Sequence, residues 1–221
     1  MEGDGSIQVN HWRKKLLQYR LVIKLKYTEA NEKMLKIISK EIGGFVRKDK
    51  EYVYWVENTK ERIVELIKIF EEFPPLTGRK KCQLKFLKSC LEHNNIERYF
   101  KERDEKYTTI YQNLFKFTNI NELPSYFPSW LSGFIEAEGC FSITAKNVLS
   151  FSIAQKYEKD LINCIRSYFS ANSNIVLIKE LFEIKIYNRN SLESIITHCT
   201  NYPLLGEKKE SLENFKLFFY K

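Results

Sequence analysis

Glycine and proline are scarce, eight and five among 221 residues, which excludes a collagen-like repeat and a linker-dominated chain. No apolar run approaches the roughly 20 residues that a membrane-spanning helix needs. The opening decapeptide MEGDGSIQVN also lacks the apolar core of a secretory signal. The five cysteines (Cys82, Cys90, Cys140, Cys164, Cys199) are scattered and contain no C-x-x-C. An odd, unclustered set argues for mostly buried thiols in a reducing compartment, and against a zinc ribbon or a disulfide frame. The three histidines, His11, His93 and His198, follow no metal-ligand spacing and read as structural or exposed. Gly78-Arg79-Lys80-Lys81 lacks the rest of a phosphate loop, which leaves little for a nucleotide-binding reading.

What is present is globular: 43% of residues are hydrophobic and 29% charged, too apolar for general disorder. Thirty-six Lys and Arg against 28 Asp and Glu leave a net charge of +8, and a basic chain without a membrane segment points toward nucleic acid. The wealth of Lys, Asn, Ile, Tyr and Phe fits AT-rich codons, as in an organellar genome.

A long internal repeat organises the chain. EGDGSI (2–7) parallels EAEGCFSI (136–143), YRLVIKLKY (19–27) parallels FSIAQKY (151–157), and FPPLTGRKK (73–81) parallels YPLLGEKKE (202–210). The three pairs keep their order at offsets of 134, 130 and 129 residues, which indicates a duplicated domain. Arg20–Lys26 alternates, with Leu21, Ile23 and Leu25 on one face and Lys24 and Lys26 on the other; Ser142–Lys146 alternates in the same way. Helical spacing predicts helices over 29–41, 59–72 and 79–92, with counterparts over 158–169, 190–200 and 207–219. Strands are predicted over 45–48, 52–57, 174–179 and 181–187. The expected fold is α+β: two pseudo-symmetric halves, 1–92 and 124–221, each a four-stranded antiparallel sheet with packed helices. Segment 93–123 reads as a surface connection with a short helix at 96–103.

Pro128–Gly139 reads as a helix with an apolar face of Leu131, Phe134 and Ile135, ending in two acids and a glycine. Ser132 and Gly133 are small enough to let another helix approach, and Gly139 suits a left-handed residue past the helix end. Glu138 at a helix C-terminus faces an unfavourable dipole unless a cation compensates it. Alone it reads first as a solvated helix-end acid; the repeat and the flanking blocks around it favour the metal.

LSGFIEAEG (131–139) resembles the LAGLIDADG motif of the homing endonucleases, and FSIAQK and YPLLGEKK follow in the family's order. The resemblance covers nearly the whole chain. It implies sheets forming a saddle over double-stranded DNA, two motif helices packed together, and a monomeric enzyme with a long, non-palindromic target. The implied chemistry is Mg²⁺-dependent phosphodiester hydrolysis, with Mn²⁺ or Ca²⁺ able to occupy the same site. By position the metal acids are Asp4 and Glu138, aided by the carbonyls of Gly3 and Ala137. Gln155 would position a water, while its counterpart Leu25 could not. Lys208 and, in the first half, Arg79 would stabilise phosphate charge, with Lys209 and Lys80 adjacent. On the residues alone, Gln155 also reads as a strand-end polar group, and Lys208 and Arg79 as first-turn helix cations.

The strand residues Gln8, Asn10, Arg20, Lys24, Lys26, Arg47, Ser142, Thr144, Lys146, Lys156, Lys185 and Arg189 form one expected polar face, either a solvated surface or the DNA contact. The first motif departs from the family: Met1-Glu2-Gly3-Asp4-Gly5 carries no apolar helix before Glu2. For the chain as it stands this predicts weak folding and poor cleavage, unless upstream sequence supplies the helix. Two rival readings remain on the same scaffold, a maturase that binds its own intron RNA and a DNA-binding protein that has lost cleavage. The resemblance also implies an organellar, intron-encoded protein, most simply mitochondrial and not secreted.

Overall fold

The computed structural model describes residues 1–117 and 119–221; position 118, inside the segment read as a connection, lies outside them. The chain divides into two compact units, Met1–Leu114 and Phe115–Lys221. The first runs β1 (Gly5–Trp12), β2 (Leu16–Lys26), α1 (Glu29–Ile42), β3 (Phe45–Lys48), β4 (Tyr52–Glu57), α2 (Lys60–Glu72), α3 (Gly78–His93) and α4 (Ile96–Glu102). The second runs α5 (Phe127–Glu138), β5 (Gly139–Ile143), β6 (Leu149–Lys156), α6 (Lys159–Tyr168), β7 (Ile175–Ile178), β8 (Leu181–Ile186), α7 (Arg189–Asn201) and α8 (Glu207–Phe219). Both sheets are antiparallel, in the orders β1-β2-β4-β3 and β5-β6-β8-β7. The duplication read from the sequence is therefore a duplication of topology.

Strand alternation builds each core. Ile7, Leu21, Ile23, Val53 and Trp55 leave one face of the first sheet and meet Leu35 of α1, Ile63 and Leu66 of α2 and Leu87 of α3. In the second unit Phe151, Ile153, Ile184 and Ile186 are fully enclosed, as are Leu161 and Ile165 of α6. Local chemistry sets the helix limits. The Thr28 hydroxyl accepts the Asn31 amide at 3.1 Å to start α1. Gly43, at φ +78°, ends α1 in a conformation that costs a side-chain-bearing residue dearly.

Two sequence expectations change. The segment 93–123 is not a separate connection. Tyr99 of α4 is buried in the first core, and the Gln83 amide donates to the Tyr107 hydroxyl at 2.9 Å. Phe115 is buried in the second unit, its amide donating to Glu158 at 3.0 Å. The division thus falls between Leu114 and Phe115. The strand expected over 142–146 stops at Ile143, because Thr144 turns the chain. Its amide donates to the Val148 carbonyl at 3.0 Å, its hydroxyl accepts the Val148 amide at 3.1 Å, and Asn147 takes φ +59°.

Candidate active site and nucleic-acid interface

The motif helix α5 buries Leu131, Phe134 and Ile135 completely, as its spacing requires. Ser132 serves its own unit: its hydroxyl donates to the Tyr202 carbonyl at 2.7 Å and lies 3.1 Å from His198 Nε2. The single Ser132 proton is spent on that carbonyl, so His198 donates through Nε2 and accepts from the Tyr168 hydroxyl (3.3 Å) at Nδ1. Burial pushes the His198 pKa down to about 4, so the ring is neutral there at pH 7. Gly133, by contrast, is exposed, and a Cβ added to it would meet nothing within 4 Å.

The two acids of the motif differ in their partners. Glu136 accepts the amides of Leu205 and Gly206 at 3.0 Å and of Lys208 at 3.1 Å. It thereby caps α8, whose own N-cap, Gly206, has no side chain to do so. Glu2 does the same in the first unit, accepting the Leu76 amide at 2.6 Å and the Thr77 hydroxyl at 2.5 Å ahead of α3. The remaining acids, half-exposed Glu138 and exposed Asp4, each stand immediately before the glycine that opens the first strand of the unit's sheet.

That glycine is required, for a reason other than the one expected. Gly139 is extended (φ −74°, ψ 149°) and not left-handed. A Cβ on it would fall 2.6 Å from the Ile135 carbonyl oxygen, and one on Gly5 would strike the Met1 carbonyl in the same way. The glycines allow a strand to begin directly against the preceding turn of chain.

Register places the supporting residues. Gly5 pairs with Ile23 and Gly139 with Ile153, so Leu25 and Gln155 stand two residues along the second strand in matching positions. Leu25 packs against the first core, whereas Gln155 is half-buried and its Oε1 accepts the Lys156 amide at 3.0 Å. The cation of the first unit shifts by one residue from the expected one. Arg79 is exposed, while Lys80 is 4% exposed and its Nζ donates to the Gly5 carbonyl, at the root of β1. The signal was in the helix phase: Lys80, Leu84 and Leu87 repeat as Lys208, Leu212 and Phe215, an offset of 128. Lys208 itself is half-exposed on the first turn of α8.

Of the expected DNA-facing residues, Gln8, Asn10, Arg20, Lys24, Lys26 and Arg47 all alternate onto the face of the first sheet opposite its core. Lys24 Nζ lies 3.8 Å from the Tyr52 ring centroid on that face. Ser142, Lys156 and Lys185 occupy the same face of the second sheet, Lys156 paired with Glu180 at 2.6 Å. Thr144 and Lys146 belong to the β5–β6 turn instead. Arg189 leaves the sheet altogether: as the first residue of α7 it donates to the Phe219 carbonyl at 3.0 Å and covers the Phe219 ring. The sequence reading missed Gln18, paired opposite Asn10, and the aromatic pair Tyr52 and Tyr54. Continuing the alternation of β2 toward its start would have found Gln18.

The LAGLIDADG endonuclease family model matches residues 1–90 and 131–219. The chain belongs to the LAGLIDADG endonuclease family. A "probable intron-encoded endonuclease aI3" of Dictyostelium citrinum is 45% identical, covering 99% of this chain and 92% of that protein. The protein of the same name from Debaryomyces hansenii is 42% identical over 97% of this chain, which there spans only 36% of a longer protein. Among solved structures, the LAGLIDADG meganuclease I-AabMI bound to uncleaved DNA superposes with a TM-score of 0.77 at 22% identity, over 99% of this chain and 87% of that one. I-SmaMI, bound to its uncleaved DNA target in the presence of calcium ions, gives 0.75 at 16% identity, again over 99% and 87%. The LAGLIDADG fold thus accounts for both units. No described helix is long and apolar enough to cross a membrane.

Proposed function

We propose that the protein is a site-specific homing endonuclease that cuts both strands of a long, non-palindromic DNA target by Mg²⁺-dependent phosphodiester hydrolysis. One observation carries the reading: each unit uses the first acid of its motif as a helix cap and sets a second, Asp4 or Glu138, at the root of its sheet. The names of its relatives, intron-encoded endonucleases, and of DNA-bound meganucleases of the same fold agree with it.

The donors fit a hard cation. No cluster of three His, Cys, Asp or Glu exists among the described residues, so a zinc-like cage is not offered. A single carboxylate with a neighbouring carbonyl suits Mg²⁺, which keeps several of its waters. Asp4 with the Gly3 carbonyl, and Glu138 with the Ala137 carbonyl, would each offer such a donor set. When bound, the ion supplies an activated water and neutralises charge at the phosphate. Gln155 would orient that water on the second unit's side. Lys80 and Lys208 would offer positive charge to the phosphate, Lys80 in the place expected of Arg79. The outer sheet faces would hold the duplex. Two motifs on one chain make a monomer sufficient. The intron-encoded relatives support an organellar gene, and we assign the protein to the mitochondrion.

The test is cleavage of a plasmid carrying the joined exon sequence of the host gene, with and without Mg²⁺. The expected result is linear product that requires the metal and is lost in Glu138→Gln. Cutting that survives this substitution, or is indifferent to chelation, overturns the assignment.

A further inference from the structure

Matched register makes the outer faces of the two sheets comparable position by position, and they differ in kind. Gln8, Arg20, Lys24, Arg47 and Tyr54 of the first unit correspond to Ser142, Ser150, Ala154, Val176 and Glu183 of the second. Long donors and cations on one side stand against short, apolar or acidic side chains on the other. Only Lys26 keeps its charge, as Lys156, and that lysine is already paired with Glu180. Lys185, which replaces Val56, is the single gain.

The hairpins differ as well. The β1–β2 ribbon holds eight register pairs, from Gly5–Ile23 to Trp12–Leu16, and the β5–β6 ribbon five, from Gly139–Ile153 to Ile143–Leu149. Counting Thr144 and Val148 as a closing pair, the first ribbon is longer by two residues, about 7 Å at 3.3 Å each. That is about two base-pair steps. Its tip is Arg13-Lys14-Lys15, all exposed, with Arg13 and Lys14 left-handed at φ +50° and +56°. The other tip is Ala145-Lys146-Asn147.

Beside the tip-side half of the long ribbon, where Asn10 pairs with Gln18, lies an open groove of about 600 Å³ lined by Arg20, Arg47 and Lys60 together with Asn10, Gln18 and Asn94, and by no acid. The buried Nε of Arg20 has no hydrogen-bond partner among the described residues. Such a concave, cation-lined site fits a backbone phosphate. Net charge divides in the same sense. Residues 1–114 hold 24 Lys and Arg against 17 Asp and Glu, a net +7, and residues 115–221 hold 12 against 11, a net +1.

We propose that DNA binding is carried by the first unit: it supplies most of the affinity and nearly all of the salt dependence, and it reads the longer half-site. This rests on the DNA endonuclease reading above. The test uses the full chain in Ca²⁺, with fluorescent duplexes spanning the joined exon sequence, each half replaced in turn by scrambled sequence, and with a fully scrambled duplex.

One half-site duplex should bind within about tenfold of the complete target, and the other no better than scrambled DNA. Between about 50 and 200 mM salt, Arg20→Ala/Lys24→Ala should flatten the slope of log affinity against log salt by about 1.8, two phosphate contacts' worth. Lys156→Ala/Lys185→Ala should flatten it by less than half as much. Circular dichroism confirms that these surface variants fold. Equal binding of the two half-sites, or equal effects of the two double variants, overturns the proposal while leaving the endonuclease reading intact. Failure to prefer the complete target over scrambled DNA overturns that reading, and this one with it.

Discussion

Glu136 provides the sharpest test of how the motif divides its labour. Its carboxylate holds three amides at the start of α8, those of Leu205, Gly206 and Lys208. A hydrogen bond to a charged group is worth about 1.5–3 kcal/mol net. Leu205 is exposed and Lys208 half-exposed, so water recovers part of that when the acid is removed. Loss of a helix cap alone costs about 0.5–2 kcal/mol. Together these place Glu136→Ala about 2–4 kcal/mol below the parent. Glu136→Gln keeps one acceptor oxygen but no charge and should lose about 1 kcal/mol. Urea titration followed by circular dichroism measures both. Cleavage, scored at a temperature where each variant is folded, should survive in Glu136→Gln and vanish in Glu138→Gln. If Glu136→Ala is as stable as the parent, the capping argument is wrong. If Glu136→Gln is stable and fails to cut, the first acid belongs to the chemistry and the division drawn here collapses.

Two other outcomes follow from burial. The native His198 pKa of about 4 lies below the ordinary value near 6.5, so between those pH values the unfolded chain takes up a proton that the native state refuses. His198 therefore costs no stability above pH 6.5, and stability falls as the pH drops toward 4, by about 3 kcal/mol in all. His198→Gln should flatten urea-unfolding profiles between these limits, and an unchanged slope refutes the assignment. Among the thiols only Cys140 is exposed, while burial raises Cys90 and Cys164 to about 11 and Cys199 to about 12. One equivalent of maleimide at pH 7 should modify Cys140 alone by mass mapping, and rapid labelling of Cys199 would contradict the packing around α7.

The periodic parts of the fold were legible because burial on one side leaves a mark at every second or every third and fourth residue. Strands β3 and β4 and helix α8 fall on the boundaries that pattern predicts. The failures lie where the deciding contact is distant in sequence. Arg189 looks like one more strand-end cation until Phe219, thirty residues on, claims its guanidinium. Segment 93–114 looks like a connection because it opens polar and charged, while Ile96, Tyr99 and Phe100 within it pack against a core formed elsewhere. Arg79 and Lys80 are neighbours in a run of charge, and only the helical phase separates the solvated one from the one turned to Gly5.

Helix geometry also gives two acids only two residues apart different posts. On a helix, residues 136 and 138 project about 200° apart, so a carboxylate that reaches the start of α8 fixes its neighbour's direction away from it. In the first unit Met1–Asp4 are not helical, yet Glu2 still caps the approach to α3 and Gly5 still begins its strand against the Met1 carbonyl. What preserves the arrangement there is the set of contacts around the strand root: the cap at Leu76 and Thr77, the Lys80 bond to Gly5, and the Gly5–Ile23 pairing. In both units the glycine and the capped helix behind it hold that place open. Exchanging Gly5 or Gly139 for alanine would therefore disturb the second acid more than any change on the exposed side of α5, where even Gly133 has room for a side chain.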